Sequence, residues 1–300
     1  MNLSGSICAI ATPFRAVDDV PDLDAFDRLI EFQISSGTRG LVVAGSTGEG
    51  AALSADEFAS LIAAAARRIA GRVPLIAGTG MQSTRKTIDQ TRLAASAGAE
   101  FALVATPAYV RPTQEGLLRH FSEIAEHGGL PVILYNVPSR SACDLQPETV
   151  ARLHANAGIV GIKEAHSDAQ RMVDLLDLRS ASFAVLSGDD PSCARAILAG
   201  ADGVISVAAN VAPAAMQALC ASAASGDAEN TARLDSQLHD LFEFLAVEPN
   251  PIPLKWCLQQ LGFGSEHLRL PLLPLSAAYH ARGNRVLNET GLLQSLHSAG

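Results

Sequence analysis

The chain has 300 residues and only three lysines, Lys86, Lys163 and Lys255, among many arginines. Lys163 closes the apolar run "IVGIKEA" (159–165), where a buried strand is expected to end. The preceding run, "PVILYNVPSR" (131–140), carries Tyr135, one of three tyrosines, at the matching place. An amine at a desolvated strand end gives up its proton more readily than one in water, because burial disfavours the charged form. A neutral amine attacks a carbonyl and forms a Schiff base. The resulting iminium lets the neighbouring carbon lose a proton or break a carbon–carbon bond. A phenol alongside can carry protons through both stages. The bland alternative is a strand-end lysine that reaches solvent and pairs with Glu164. The scarcity of lysine and the tyrosine at the adjacent strand end weigh for the chemical reading.

Other segments offer complementary groups. In "GSTGEG" (45–50) small residues let backbone N–H groups converge on an anion, with a helix following from about Ser54. A substrate carboxylate suits that turn; an ordinary tight βα turn explains it equally well. Arg140 follows Tyr135 by five residues. It reads either as a bidentate clamp for a second carboxylate or as a surface residue. The run "FALVATPAYVRP" (101–112) ends in a loop bearing Tyr109. "SGDDPS" (187–192) reads as helix capping, with Asp190 as the cap and Pro191 at the first helical position. The histidines, His120, His127, His154, His166, His239, His267, His280 and His297, show no HxH or HExxH spacing. His166 lies near Lys163 in a loop and is expected to be solvated. The cysteines, Cys8, Cys143, Cys193, Cys220 and Cys257, form no CxxC pair, so no metal site is expected. No serine nucleophile elbow is present, which argues against hydrolase chemistry.

The elements that must position these groups follow one rhythm. A helical pattern ends near a glycine, and a short apolar run comes next, as in "SAGAEFALVATP" (96–107) and "LAGADGVISVAAN" (198–210). Eight such runs start near Ile7, Leu41, Pro74, Phe101, Pro131, Ile159, Phe183 and Val204. Helical periodicity fills 22–35, 54–70 and 83–97, and Ser54 with Glu57 forms a capping box. Eight β-then-α units in about 220 residues predict a (β/α)8 TIM barrel rather than an open doubly wound sheet. The missing GxGxxG after the first run weakens a dinucleotide-binding fold. A barrel places catalytic groups at the C-terminal strand ends. Alternation then puts Ile159, Gly161 and Lys163 on the inward face, with Gly161 leaving room beneath the lysine, and Val160 and Ile162 outward. Ile133 and Tyr135 share the inward face of the adjacent strand, ~5 Å away at the backbone. After about residue 225 the rhythm stops. "NTARLDSQLHDLFEFLA" (230–246) reads as an amphipathic helix, and "VEPNPIPLKWCLQQLGF" as a Pro-broken turn entering another. The expected division is a catalytic barrel, 1–225, and a C-terminal helical extension, 226–300.

Composition narrows the partners. The chain is 48% hydrophobic and 18% charged, enough apolar content for a large core. Net charge is −9 and Lys and Arg do not cluster, which argues against nucleic acid and anionic membranes. No secretory signal is visible, and no apolar run approaches the roughly 18–20 residues of a membrane span. An odd number of scattered cysteines reads as free thiols in a reducing cytoplasm.

The set "GSTGE" (45–49), "ATPAYVRPTQEG" (105–116), "YNVPSR" (135–140) and "GIKEA" (161–165) resembles the dihydrodipicolinate synthase and N-acetylneuraminate lyase family. The likeness runs from "AIATPF" (9–14) to "NPIPLKW" (250–256). The resemblance implies a barrel with a helical extension, assembled as a homotetramer (a dimer of dimers), needing no cofactor or metal. It implies that Lys163 forms a Schiff base with pyruvate and that Tyr135 transfers protons. Ser46 and Thr47 would hold the pyruvate carboxylate, with Ser46 also relaying protons. Tyr109 would complete the relay from a neighbouring subunit, and Gly188 and Ile205 would contact substrate. Arg140 favours the synthase branch, in which an arginine here holds the carboxylate of L-aspartate 4-semialdehyde. Ser46 stands where synthases usually have threonine, a serine also common in sialic acid lyases. Cleavage of N-acetylneuraminate or a 2-keto-3-deoxy sugar acid is therefore the alternative. A non-catalytic 2-oxo acid-binding paralogue is the reading from another class. At the positions matching the family's lysine-inhibition site stand Gly50, Ala55, Phe58, Gln82, Lys86 and Ala108. Expected polar groups are lost and Lys86 repels an ammonium, so weak or absent lysine inhibition is expected.

Overall fold

The computed structural model describes residues 3–289. Positions 290–300 of the expected extension, and with them His297, lie outside the described residues. Eight parallel strands close into a barrel in chain order: β1 (Gly5–Ala9), β2 (Gly40–Val43), β3 (Leu75–Gly78), β4 (Phe101–Ala105), β5 (Val132–Asn136), β6 (Ile159–Glu164), β7 (Ala184–Ser187) and β8 (Gly203–Ser206). Strand β1 pairs with both β2 and β8, which closes the cylinder. Helices alternate with strands around the outside, so each strand is covered on both faces and reads as an unbroken apolar run.

Local sequence explains the helix starts. Asp22 accepts from Ala25 N ahead of the helix Leu23–Ser35. Ser54 and Glu57 form the expected capping box ahead of Ala55–Ile69. Thr113 accepts from Gly116 N ahead of Gln114–His127. In each case a side-chain oxygen satisfies an amide that has no partner in the first turn.

Two cores result. Inside the barrel, Ile7, Val42, Ile76, Leu103, Ile133, Leu186 and Ile205 form one cluster. The larger cluster lies between strands and helices, and runs on through Leu238, Phe244, Trp256 and Val286 of the C-terminal helices. The helix Ala228–Leu245 covers the expected 230–246 up to its last residue, Ala246, which caps it, and Ile252–Gln260 follows the proline turn.

The structure changes the reading of β6. Val132 pairs with Ile159, whereas Ile133 pairs with Gly161, so Val160 is an extra residue in a β-bulge. The bulge shifts the face of everything before it. Ile159 packs in the outer core and Val160 against the inner one, the reverse of strict alternation. From Gly161 onward the parity is as expected, with Ile162 in the outer core and Lys163 paired to Tyr135. Gly161 serves β7 rather than the lysine: a Cβ there would stand 2.7 Å from the Ala184 carbonyl oxygen. Gly161→Val should therefore push β6 from β7 and cost about 1–3 kcal/mol by overpacking, read as a lowered midpoint in chemical denaturation.

Candidate active site

The C-terminal ends of the strands gather the chemistry. Tyr135 and Lys163 are register partners on β5 and β6, and both side chains are almost wholly buried. The Lys163 Nζ lies 4.4 Å from the centroid of the Tyr135 ring. Among the described residues it forms no hydrogen bond or ion pair. Burial pulls Lys163 down from 10.5 to about 8; Asp190 opposes the fall and Arg140 assists it. Burial pushes the Tyr135 phenol up to about 12, with Arg140 lowering and Glu164 raising it. At neutral pH the site thus holds a protonated phenol beside an amine that releases its proton at modest cost.

The lysine's chain neighbour does not neutralise it. Glu164 points to the opposite face of the strand and is fully enclosed. It accepts from Arg171 Nε at 2.8 Å, Asn136 Nδ2 at 3.0 Å and His166 N at 2.8 Å. Arg171 also meets Asp144 and the Leu145 carbonyl, and Asn136 Nδ2 donates to Asp144 at 2.9 Å. The pairing of Lys163 with Glu164 in solvent, the bland alternative above, is excluded by this geometry.

Room for the lysine comes from Gly188, just beyond β7. A Cβ there would stand 2.8 Å from Lys163 Cε. Asp190 is not a helix cap. The next helix begins at Cys193, with Ser192 at its cap position, and Asp189 Oδ2 accepts from Ser192 N at 3.1 Å. Asp190 Oδ2 instead accepts from Val207 N at 3.0 Å and Ala208 N at 2.8 Å, tying the β7 and β8 ends together. Its Oδ1 is shut away from solvent and meets no hydrogen-bond donor in good geometry among the described residues. The run "SGDDPS" looked local because Asp before Pro is a familiar cap; the partners are 17 and 18 residues away.

A cavity of about 200 Å³ joins these groups, lined by Ser46, Thr47, Tyr135, Arg140, Lys163 and Gly188. Asn250 lines it too, and no motif reading had assigned it a role. Its Nδ2 donates to Thr47 Oγ1 at 3.0 Å, and its carbonyl accepts from Arg140 Nη2 at 3.2 Å. With its oxygen already accepting, the Thr47 hydroxyl is free to donate its own proton to an anion. Ile205 sits deeper, buried in the inner core. Tyr109 is 90% exposed and lines none of this cavity; its φ is +73°, and its amide donates to the Ser141 carbonyl. Among the described residues, no group of three or more His, Cys, Asp or Glu is placed to hold a metal ion.

Comparison with known proteins agrees with the barrel fold and shows the family. The model of the dihydrodipicolinate synthetase family matches residues 2–290. The chain belongs to that family. A 4-hydroxy-tetrahydrodipicolinate synthase from Stenotrophomonas maltophilia is 54% identical, covering 99% of this chain and 100% of the relative. The synthase of the same name from Xanthomonas axonopodis pv. citri is 55% identical, covering 99% and 98%. Among solved structures, a chloride-inhibited dihydrodipicolinate synthase from Acinetobacter baumannii complexed with pyruvate superposes with a TM-score of 0.94 at 42% identity, covering 97% of this chain and 99% of that one. The Thermotoga maritima enzyme gives 0.95 at 39% identity, covering 98% and 100%.

For a family member whose nucleophile must be uncharged, the rate of imine formation with a small 2-oxo acid should climb with pH and level off above about 8. Trapping with borohydride at a series of pH values reads that profile. A rate independent of pH from 6 to 9 would show that deprotonation of Lys163 does not limit the step.

Proposed function

We infer that the chain condenses pyruvate with L-aspartate 4-semialdehyde to give 4-hydroxy-tetrahydrodipicolinate and water, a step of lysine and diaminopimelate biosynthesis. The observation that carries the reading is the desolvated Lys163 amine against Tyr135, in one cavity with a hydroxyl turn and Arg140.

The chemistry follows from those positions. The neutral Lys163 nitrogen attacks C2 of pyruvate, while Ser46 and Thr47 hold the carboxylate and so fix the ketone over the amine. Tyr135 gives its proton to the carbinolamine hydroxyl, which leaves as water. The iminium withdraws electrons from C3, which loses a proton to the resulting tyrosinate and becomes a nucleophilic enamine. That carbon adds to the aldehyde carbon of the semialdehyde, whose carboxylate Arg140 grips. Proton transfer through Tyr135 converts the new alkoxide to the 4-hydroxyl. The substrate's own amine then displaces Lys163 from C2, closing the ring and freeing the enzyme.

Ser46 leaves the sugar-acid lyase reading some support, because it stands where synthases usually carry threonine. Arg140 at the cavity wall, braced by the Asn250 carbonyl, favours the semialdehyde. Tyr109 is too exposed to serve its own cavity, and its role in the relay requires a second copy. Leu270 and Leu273 are likewise exposed, and Leu270 flanks a neighbouring cavity lined by Gly50, Gln82 and Ala108. These surfaces support the homotetramer, although one structural relative is a monomeric dihydrodipicolinate synthase variant. Phe58, at one of the lysine-site positions, is buried in the outer core and unavailable to a ligand, in keeping with weak lysine inhibition. Among the described residues no helix is long and apolar enough to cross a membrane. All five cysteines are free and buried, which suits the cytoplasm in which we place the reaction.

Incubation with pyruvate and borohydride should leave a stable adduct on the Lys163 peptide, detected by mass spectrometry and absent from Lys163→Ala. An adduct elsewhere, or none, overturns the class of reaction. Tyr135→Phe should lower kcat by about 10²–10⁴ in a coupled assay with aspartate semialdehyde. Arg140→Ala should raise KM for the semialdehyde about tenfold or more while sparing pyruvate, as expected for a lost charged hydrogen bond. Cleavage of N-acetylneuraminate at a comparable kcat/KM would favour the lyase.

A further inference from the structure

The turn that carries Ser46 and Thr47 is strained. Ala44 and Glu49, neither of them glycine, both hold left-handed backbone, with φ of +55° and +52°. The turn closes so tightly that a Cβ on Gly50 would stand 2.0 Å from the Ala44 carbonyl oxygen. Such conformations persist only where the surroundings over-determine them. The barrel supplies part of the restraint, through Thr12 Oγ1 donating to the Gly48 carbonyl at 2.7 Å. The turn's own backbone adds Gly50 N donating to the Gly45 carbonyl at 3.0 Å, and further restraint comes from far along the chain.

Glu49 points away from the cavity into a charged cluster that the reaction does not use. Lys255 Nζ donates to Glu49 Oε1 at 2.5 Å and to the His267 carbonyl at 2.7 Å. Arg269 N donates to Glu49 Oε2 at 3.1 Å. Lys255 is 1% and Glu49 5% exposed. Beneath them lies Phe14, with Lys255 Nζ 4.3 Å and Arg269 Cζ 4.4 Å from its ring centroid. Arg269 also grips Glu57 in the first turn of the following helix. Both oxygens of one glutamate are therefore engaged by the C-terminal part of the chain. Lys255 lies in the first turn of the helix Ile252–Gln260, four residues after the Asn250–Pro251 pair whose asparagine touches Thr47.

We propose that Lys255 and Glu49 are positioning residues: their buried ion pair holds the Ser46–Thr47 turn in its strained form and so aims its hydroxyls at the substrate carboxylate. The proposal rests on the reading that this turn binds pyruvate. A buried pair of this kind is weak evidence for stability, because desolvation offsets much of the attraction. Its use here is geometric. Without it, Glu49 relaxes to right-handed or extended backbone and Thr47 swings from the amine.

The test uses three variants of the full chain with a control. Lys255→Met removes the cation and leaves a carboxylate buried, so it risks misfolding. Glu49→Gln keeps shape and volume, and the buried lysine can shed its proton rather than remain unpaired. Thr47→Val checks the underlying reading. Leu219→Ala, in the outer core on the helix Pro213–Ala224, lowers stability without touching the turn. Expected for Glu49→Gln, and for Lys255→Met where it folds, is a rise in pyruvate KM of about tenfold with kcat little changed, the signature of lost carboxylate contacts. Leu219→Ala should lower the melting temperature to a similar extent with KM unmoved. If Thr47→Val raises pyruvate KM but Glu49→Gln does not, the clasp is structural only and the proposal fails. If Thr47→Val has no effect, the carboxylate reading fails and takes the proposal with it. A rise in KM for Leu219→Ala equal to that of Glu49→Gln would mean that any loss of stability loosens the site, which also overturns it.

Discussion

Lys163 and Tyr135 leave water together, as partners across two parallel strands, and the rest of the mouth of the barrel is arranged around that event. Burying an ammonium is costly, and a protein ordinarily meets the cost with a carboxylate. The contrast with Lys255 shows what is withheld here. Burial pulls both lysines down to about 8. Lys255, however, spends its hydrogens on Glu49 and a carbonyl. Lys163 lies against the face of an aromatic ring and, among the described residues, makes no hydrogen bond or ion pair. The same desolvation acts on an ion-paired lysine at one position and on a lysine against an aromatic face at the other, and the two differ in their partners.

Withholding a partner from Lys163 requires that the carboxylate next to it in the chain be kept busy. Glu164 is adjacent in sequence, but a strand sends neighbours to opposite faces. On the outer face, Arg171 and Asn136 saturate it. Asn136 is itself the chain neighbour of Tyr135. Each strand thus carries one cavity-lining group, Tyr135 or Lys163, inward and one network member outward at adjacent positions. A slip of register would break the outer network and separate the inner pair at once, so the polar network specifies the alignment that the chemistry needs. Asp190 bears on the lysine electrostatically, and it too is anchored, by two backbone amides beyond β8.

Much of this was legible because it is periodic or local. All eight apolar runs became strands, since runs covered on both faces are bounded by glycine caps and turns that leave a plain signature. The capping box at Ser54 and Glu57 is a contact over three residues and needs nothing from the fold. Lys163 and Tyr135 stood out because each is a scarce residue at a strand end. What escaped depended on contacts that a pattern does not carry. The bulge at Val160 reversed the faces of Ile159 and Val160, because an inserted residue changes parity without changing composition. Gly161 and Gly188 both follow the logic of close approach, yet only the fold shows that the first admits β7 and the second admits the lysine. Asp190 imitated a cap. Asn250 lay inside a recognised motif but was legible only as part of a proline turn, since its partners Thr47 and Arg140 are 203 and 110 residues distant.

The position of Asn250 explains why a barrel that already closes on itself carries more chain. A barrel's strand ends fix the direction of short inward groups well, as they do for Tyr135 and Lys163. They fix loop residues poorly, because a loop answers to its own backbone preferences. The two elements proposed to bind the carboxylates, the turn at Ser46–Thr47 and the short helix Pro138–Ser141 bearing Arg140, both follow their strands outside the sheet. Asn250 contacts one through its side chain and the other through its carbonyl. A single residue of the C-terminal region thereby sets the spacing between the groups that would hold two carboxylates. Two substrates that must meet carbon to carbon above one lysine need that spacing held more closely than either loop could hold it alone.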